Sequence, residues 1–437
     1  MLARRIASRA SCILRTPLSR TLSSHHHHPR EASHHDKEKD PVLFSKDGPL
    51  ATVTLNRPSA LNALNLEMVR SLDSQFRGPW SGREKGIAAV WLQGAGGRAF
   101  CAGGDIKTLW EGRGSPSGHA LQEAFFSEEY AVDHLLANDS ALHRPHIAIY
   151  DGAVMGGGVG VSIHATFRVA TERTTFAMPE TAIGFFPDVG ERAVKVALVH
   201  GLFWSNLVRP CPLPGGSYFL PRLPLGPEFG LFLALTGHRL VGADAVHAGV
   251  ATHFVPQEKL AALRADAAQE LRAHAHWSRG DAVAAVSIVL NRHAVPLPDF
   301  TITRSQQLAL RHAFGGASAA EVVEAVHAAA KEAASTEDAA FLAKAAKALG
   351  RASPTSLRVT FEQLRRGAAL PSLAECLKME LRMAMHTMTA SADFYEGVRA
   401  LLIDKDGKPQ WSPAVLADVS DASVNAYFAP RAHAPHL

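Results

Sequence analysis

Twice in this chain an apolar run ends in a cluster of glycines and then continues as a helix, and that alternation limits the folds open to it. Gly86–Leu92 (GIAAVWL) is apolar enough to be a buried strand, and it runs into GAGGRAFCAGGDIK, from Gly94 to Lys107. Ile147–Tyr150 predicts a second strand, which leads to Gly156, Gly157 and Gly158. Residues without Cβ let a ligand approach backbone N–H groups, and a turn into a helix leaves its first N–H groups unpaired. Strand, glycine turn and helix in alternation predict an α/β fold with sheet-edge loops holding the site.

The rest of the chain fits around these turns. Val42 to Asn56 reads as two short strands about Lys46-Asp47-Gly48-Pro49, and Leu61, Leu64, Met68, Val69 and Leu72 predict an amphipathic helix over Leu66–Phe76. Beyond a polar connection from Gly112 to Gly118, a helix carries Glu123, Glu128 and Glu129 and runs past Leu135 and Leu136. From Ala261 to Leu349, alanines and charges at helical spacing predict a mainly helical region, with Ser335 as an N-cap ahead of Glu337 and Asp338. Leu373–Phe394 reads as a further helix, followed by an apolar piece ending in a Lys-Asp-Gly turn. No internal sequence repeat is evident.

At 437 residues the chain exceeds the size at which single cores stop growing, which predicts a main domain with an appendage. No apolar run approaches the roughly 20 residues needed to cross a bilayer, so no membrane partner is expected. A net charge of +4, concentrated in part in the first 30 residues, gives little support to nucleic-acid binding. Cys12, Cys101, Cys211 and Cys376 are far apart without a C-x-x-C pair, which fits a reducing compartment and no cysteine-based metal site. Arg4, Arg5, Arg9, Arg15, Arg20 and Arg30 precede the first acid, Glu31, with serines among them, the composition of a mitochondrial transit peptide with cleavage near Leu22-Ser23. His25–His28, with His34 and His35, reads as a flexible linker and not as a metal site.

Two glycine turns, each after a strand, are what an oxyanion hole of two backbone N–H groups needs, and Gly104 and Gly157 are the expected donors. A dinucleotide fingerprint starting at Gly156 fails at Val161, no phosphate-loop motif exists, and Gly160 to His164 does not form a nucleophile elbow. Glu180 follows Met178-Pro179 and Asp188 follows Pro187. Eight positions apart, the two acids would be roughly 12 Å apart on one helix. Gly184 and Pro187 break such a helix. Two readings stay open at this point: a folded-back turn that brings both acids into one pocket and raises a pKa, or acids capping turns at the surface.

The motifs FCAGGDIK, MGGGVG, FAMPETAIGFFPDVG, YFLPRL, LALTGHRL, ATHFV and DFYEGVRALLIDKD resemble those of the crotonase (enoyl-coenzyme A hydratase) superfamily, in its 3-hydroxyisobutyryl-coenzyme A hydrolase branch. The resemblance spans Val42 to Phe428. It implies a crotonase-type repeated ββα core over residues 41–260, after a leader and linker at 1–40, and a mainly helical region over 261–437. It implies hydrolysis of a short branched 3-hydroxyacyl-coenzyme A thioester in valine catabolism, in the mitochondrial matrix. No cofactor is implied, since coenzyme A belongs to the substrate, and no metal.

Carried over by position, the resemblance makes Gly104 and Gly157 the oxyanion hole, and Glu180 and Asp188 the catalytic pair. Glu129 of FFSEEY matches a substrate-binding glutamate, joined in that role by Gly157, Glu180 and Asp188, and Lys107 is a candidate for the coenzyme A phosphates. Hydratases of the superfamily carry a glutamate where this chain has Gly160, which speaks against hydration. Glu180 either attacks the carbonyl or directs a water, and Asp188 orients the 3-hydroxyl or the water. Two alternatives remain: a weakly catalytic structural subunit of the mitochondrial ribosome, or a hydratase or isomerase of the same fold. Superfamily members commonly associate through their helical part, so a homo-oligomer is a further open point.

One stretch departs from the family. FPDVG there runs almost directly into a SYFLPRL-like segment, whereas here Glu191–Gly215 intervenes, starting close behind Asp188. VKVALVHGLFW is apolar enough to need burial, so the stretch is read as a retained intron or gene-model error, with a lineage insertion as the alternative.

Overall fold

The computed structural model describes residues 40–81, 86–188, 216–273, 276–390 and 392–430. The transit peptide and its cleavage point, the His25–His28 linker, Cys12, Cys211 and the stretch Glu191–Gly215 lie outside these residues.

Strands β1 (Val42–Asp47) and β2 (Leu50–Leu55) form the expected hairpin, with Val42 opposite Leu55. Helix α1 (Leu66–Arg77) is capped by the Asn65 side chain, which accepts from Met68 N, and buries Met68, Val69, Leu72 and Phe76. The chain then repeats one unit: a strand in a large sheet, a short strand in a small sheet, and a turn. Strands β3 (Ala89–Gly94) and β4 (Ala99–Cys101) make the first unit, and β5 (His146–Tyr150) and β6 (Ala153–Met155) the second. The third is β7 (Phe167–Ala170) with β8 (Thr175–Ala177). Strands β9 (Leu240–Val241) and β10 (His253–Phe254) complete sheets of order β1-β2-β3-β5-β7-β10 and β4-β6-β8-β9.

Between the strands run α2 (Ile106–Glu111), α3 (Pro116–Asn138) and the short α4 (Gly157–Gly160). Successive side chains of a strand point to opposite faces, so the large sheet serves two cores. Val90 and Leu92 face the core that holds α1 and α3. Ala89, Trp91, Ile147, Ile149 and Val169 pack with residues of the helices Leu260–Arg272 and Arg279–His293.

The C-terminal region is helical, as predicted, and Ser335 caps Thr336–Leu349 by accepting from Asp338 N at 3.0 Å. It also closes onto the turn after β8. Ser353 N donates to Thr181 O at 3.0 Å, and Gly397 of the EGVRALLIDKD motif backs onto Ile183 of the MPETAIG motif. Two motifs more than two hundred positions apart are thus one packed unit. No helix among the described residues is long and apolar enough to cross a membrane.

Candidate active site

The three small-sheet strands of the repeat are parallel neighbours, with Ala153 opposite both Ala99 and Thr175. The turns that leave these strands therefore emerge at the same sheet edge: Gly103-Gly104 after β4, Gly156-Gly157 after β6, and Met178-Pro179-Glu180 after β8.

At the first turn, Leu64 N donates to Gly103 O (2.8 Å) and Asp105 N donates to Leu64 O (2.7 Å). A parallel bridge of this kind uses the residues on either side of Gly104 and leaves its own N–H out of the ladder. Asp105 then caps α2 through Thr108 N and holds Arg57 at 2.9 Å, which fixes the turn. At the second turn, Gly156 has φ 42 and ψ −125, a conformation that L side chains rarely adopt. Gly157 is the first residue of α4, so its N–H has no partner within the helix. A Cβ built on Gly157 would stand 3.4 Å from Gly104 N, 3.1 Å from Leu64 Cδ1, and in collision with Glu129 Oε1.

Glu180 opens a single 3-10 turn, Glu180–Ile183, entered through Pro179 and stopped by Gly184 in the left-handed conformation. Its Oε1 lies 3.4 Å from where a Gly156 side chain would begin, and its buried Oε2 has no protein partner. Asp188 lies four positions past Gly184, and its Oδ2 accepts from the Tyr130 hydroxyl at 2.7 Å. Both acids are 6% exposed, so the surface-capping alternative is set aside. Burial first, and then the charge of Asp188, hold Glu180 well above the ordinary carboxylate range. Burial pushes Asp188 up to about 7, against the Tyr130 hydrogen bond, which favours its ionised form.

Helix α3 supplies the opposite wall. Glu129, Tyr130 and Asp133 lie within about one helical turn and are buried. Glu129 is not a solvated helix residue: its Oε1 faces Gly157 with no protein partner, and burial with the charges of Asp133 and Asp188 raises its pKa well above normal. Neither carboxylate oxygen of Asp133 has a protein partner, and burial with the charges of Asp188 and Glu380 raises it likewise. From the helix Leu373–Ala390, Glu380 accepts from Ser217 N (2.8 Å) and Ser217 Oγ (2.5 Å) and is pushed up to about 8, chiefly by burial. Gln363 Nε2 donates both to Glu380 (3.2 Å) and to Pro187 O (2.5 Å). The chain on both sides of the atypical stretch is therefore tied to one Gln363–Glu380 pair, and Gly216 packs directly on the Pro187 carbonyl.

Gly104, Gly157, Glu180, Asp188 and Glu129 thus come together, while Lys107 stands apart. It is exposed on α2, with Nζ 3.8 Å from Glu111 Oε1. Sequence reasoning passed over Tyr130, Asp133 and Glu380. The available signal was an acid four positions after Glu129 on the same helix face, and a glutamate inside the apolar CLKMELRMAM. Among the described residues no three His, Cys, Asp or Glu side chains are arranged to hold a metal ion. A cavity of about 450 Å³ lined by Phe232, His238, Gln306, Phe341 and Lys344, among others, contains none of these site residues.

Known proteins share this fold along nearly the whole chain. The solved structure of a carnitinyl-CoA dehydratase from Mycobacterium thermoresistibile aligns with a TM-score of 0.72 at 33% identity, over 90% of this chain and 98% of that one. An enoyl-CoA hydratase from Rhodobacter sphaeroides gives 0.68 at 33% identity, over 89% and 97%. Among curated relatives, the mitochondrial 3-hydroxyisobutyryl-CoA hydrolase of Danio rerio is 40% identical over 89% of each chain. The proteins of the same name from Homo sapiens and Dictyostelium discoideum are 37% identical over 92% of each chain, and 35% identical over 96% of this chain and all of the other. The family described as enoyl-CoA hydratase/isomerase matches residues 50–198 and 211–428, breaking only inside the atypical stretch. The chain belongs to the enoyl-CoA hydratase/isomerase family.

Proposed function

We propose that this chain hydrolyses 3-hydroxyisobutyryl-coenzyme A to the free acid and coenzyme A, with Gly104 and Gly157 as the oxyanion hole and Glu180 and Asp188 as the reacting pair. The observation that carries the reading is that three neighbouring strands deliver Gly104, Gly157 and Glu180 to one sheet edge, with Asp188 as the acid that acts on Glu180. Gly160 is a buried helix glycine, so the position at which the hydratases carry their other glutamate offers no acid here. The names of the relatives point the same way.

Two buried acids that repel each other hold one proton between them over a range around neutral pH. The resting pair carries its charge on Asp188 and its proton on Glu180, and that proton passes to Asp188 as a Glu180 oxygen bonds to the thioester carbonyl carbon. The carbonyl oxygen takes the charge and is held by the Gly104 and Gly157 N–H groups, each worth roughly 3 to 4 kcal/mol. Collapse breaks the C–S bond, and the departing sulfur takes the Asp188 proton, leaving an anhydride on Glu180. Asp188, now ionised beside Glu180, takes a proton from a water whose oxygen bonds to the glutamyl carbon. The glutamyl C–O bond to the bridging oxygen breaks, the carboxylate leaves with that oxygen, and one of the two protons then on the pair passes to solvent. A Glu180 oxygen 3.4 Å from where a Gly156 side chain would begin, one residue from an oxyanion donor, supports direct attack over a route through water.

Glu129, with its unpartnered oxygen toward Gly157, meets the acyl group, and Lys107, on α2 just past the Gly104 turn, meets the coenzyme A phosphates. The Arg-rich, acid-poor first 30 residues and the relatives' names support a mitochondrial location, and we place the enzyme in the matrix. Thiol release tests the function: the full chain should free coenzyme A from 3-hydroxyisobutyryl-coenzyme A and leave crotonyl-coenzyme A unhydrated. Hydration of crotonyl-coenzyme A without thiol release would sink the reading.

A further inference from the structure

We propose that Tyr130 is a positioning residue for this hydrolysis: its hydroxyl occupies Asp188 Oδ2, so that Asp188 carries and surrenders its proton through Oδ1. The inference rests on the function proposed above. Tyr130 is fully buried, and its hydroxyl is 2.7 Å from Asp188 Oδ2. Its ring is wedged at the edge of Phe126, with centroids 6.1 Å apart, so the phenol has little freedom to leave. An oxygen that accepts a short hydrogen bond is a poor place for a proton, and the carboxylic proton is left on the other oxygen. When the proton goes to the leaving sulfur, the new anion already has a donor in place.

The surroundings of Asp188 make this bond consequential. The titratable groups around it are Glu129 and Asp133 from α3, Glu180 from the 3-10 turn, and Glu380 from the C-terminal helix, all buried acids. The Asp188 charge raises the proton affinity of each of these acids, burial opposes the anion at Asp188, and the Tyr130 hydrogen bond, together with one from the Asp188 backbone, favours it. Removing the hydroxyl therefore raises the proton affinity of Asp188. The reaction needs one charge on the pair, and that charge appears as the pH rises through the lower of its two ionisations. The acid limb of the rate profile, set near 7 by Asp188, must move to higher pH when the bond is lost.

The test is the pH profile of thiol release from 3-hydroxyisobutyryl-coenzyme A for wild type, Tyr130→Phe, Asp188→Asn and the double variant. Tyr130→Phe should lower kcat about tenfold with KM within about twofold, and move the acid limb up by about one pH unit. On the Asp188→Asn background the same change should cost nothing further, because Tyr130 acts through Asp188. Incorporating 3-fluorotyrosine in place of Tyr130 keeps the shape and strengthens the donor, and should move the limb to lower pH. An unmoved limb in both position-130 variants, or an equal loss on the Asp188→Asn background, overturns the proposal. Absence of thiol release by the wild type instead overturns the function on which it rests.

Discussion

Glu180→Gln lowers kcat on 3-hydroxyisobutyryl-coenzyme A by at least about 10³-fold, with KM changed by no more than about threefold. Glutamine keeps the volume and planar shape of the side chain, so the Glu180–Ile183 turn and its bond from Ser353 N to Thr181 O survive. What is lost is an oxygen able to carry charge and form a bond to carbon. Glu180 has no acid at Gly160 to replace it, and Asp188 is held by Tyr130. The oxyanion hole and the bound coenzyme remain, which is why KM hardly moves. Steady-state thiol release with melting curves for both proteins makes the measurement. A folded Glu180→Gln enzyme within tenfold of wild type would remove Glu180 from the chemistry.

Gly157→Ala is expected to cost at least about 10²-fold in kcat, the usual loss on disabling one oxyanion donor. Only one carbon is added, but it collides with Glu129 Oε1 and stands 3.1 Å from Leu64 Cδ1 and 3.4 Å from Gly104 N. These neighbours belong to α3, to the bridge at Gly104 and to the second donor, so relief displaces parts of the site itself. Relaxation through Glu129 would swing its carboxylate away from the acyl position. Kinetics on the purified variant, with circular dichroism to establish folding, should show the loss in kcat. Wild-type kcat would mean that Gly157 does not hold the oxyanion.

The glycine turns were the most legible part of the chain, because residues without Cβ at strand ends have few uses other than close backbone approach. Gly104 and Gly157 could be named as candidate donors, although tight turns alone would have explained the glycines equally well until the family motifs were matched, and the structure places them beside each other. The repeated strand pair was expected only from the family resemblance and was invisible as a repeat in the residues themselves. β4, β6 and β8 are three residues each, too short for a period-2 pattern, and their units share geometry without sharing residues. Glu180 and Asp188 were visible as acids near turns, yet burial is a tertiary property, and spacing alone left the surface reading open. Asp133 and Glu380 escaped for the same reason, each lying on a helix that local pattern identifies without saying what it faces. Tyr130, next to Glu129 in FFSEEY, carries no signal of its partner 58 positions away.

The most direct test of the account is a single turnover of 3-hydroxyisobutyryl-coenzyme A in heavy-oxygen water with enzyme in excess, followed by mass analysis of both the acid and the Glu180 peptide. Attack by Glu180, with water then directed to the glutamyl carbon, predicts one heavy oxygen in the Glu180 carboxylate and none in the first acid released. Heavy oxygen confined to the acid, with Glu180 unlabelled, would contradict it.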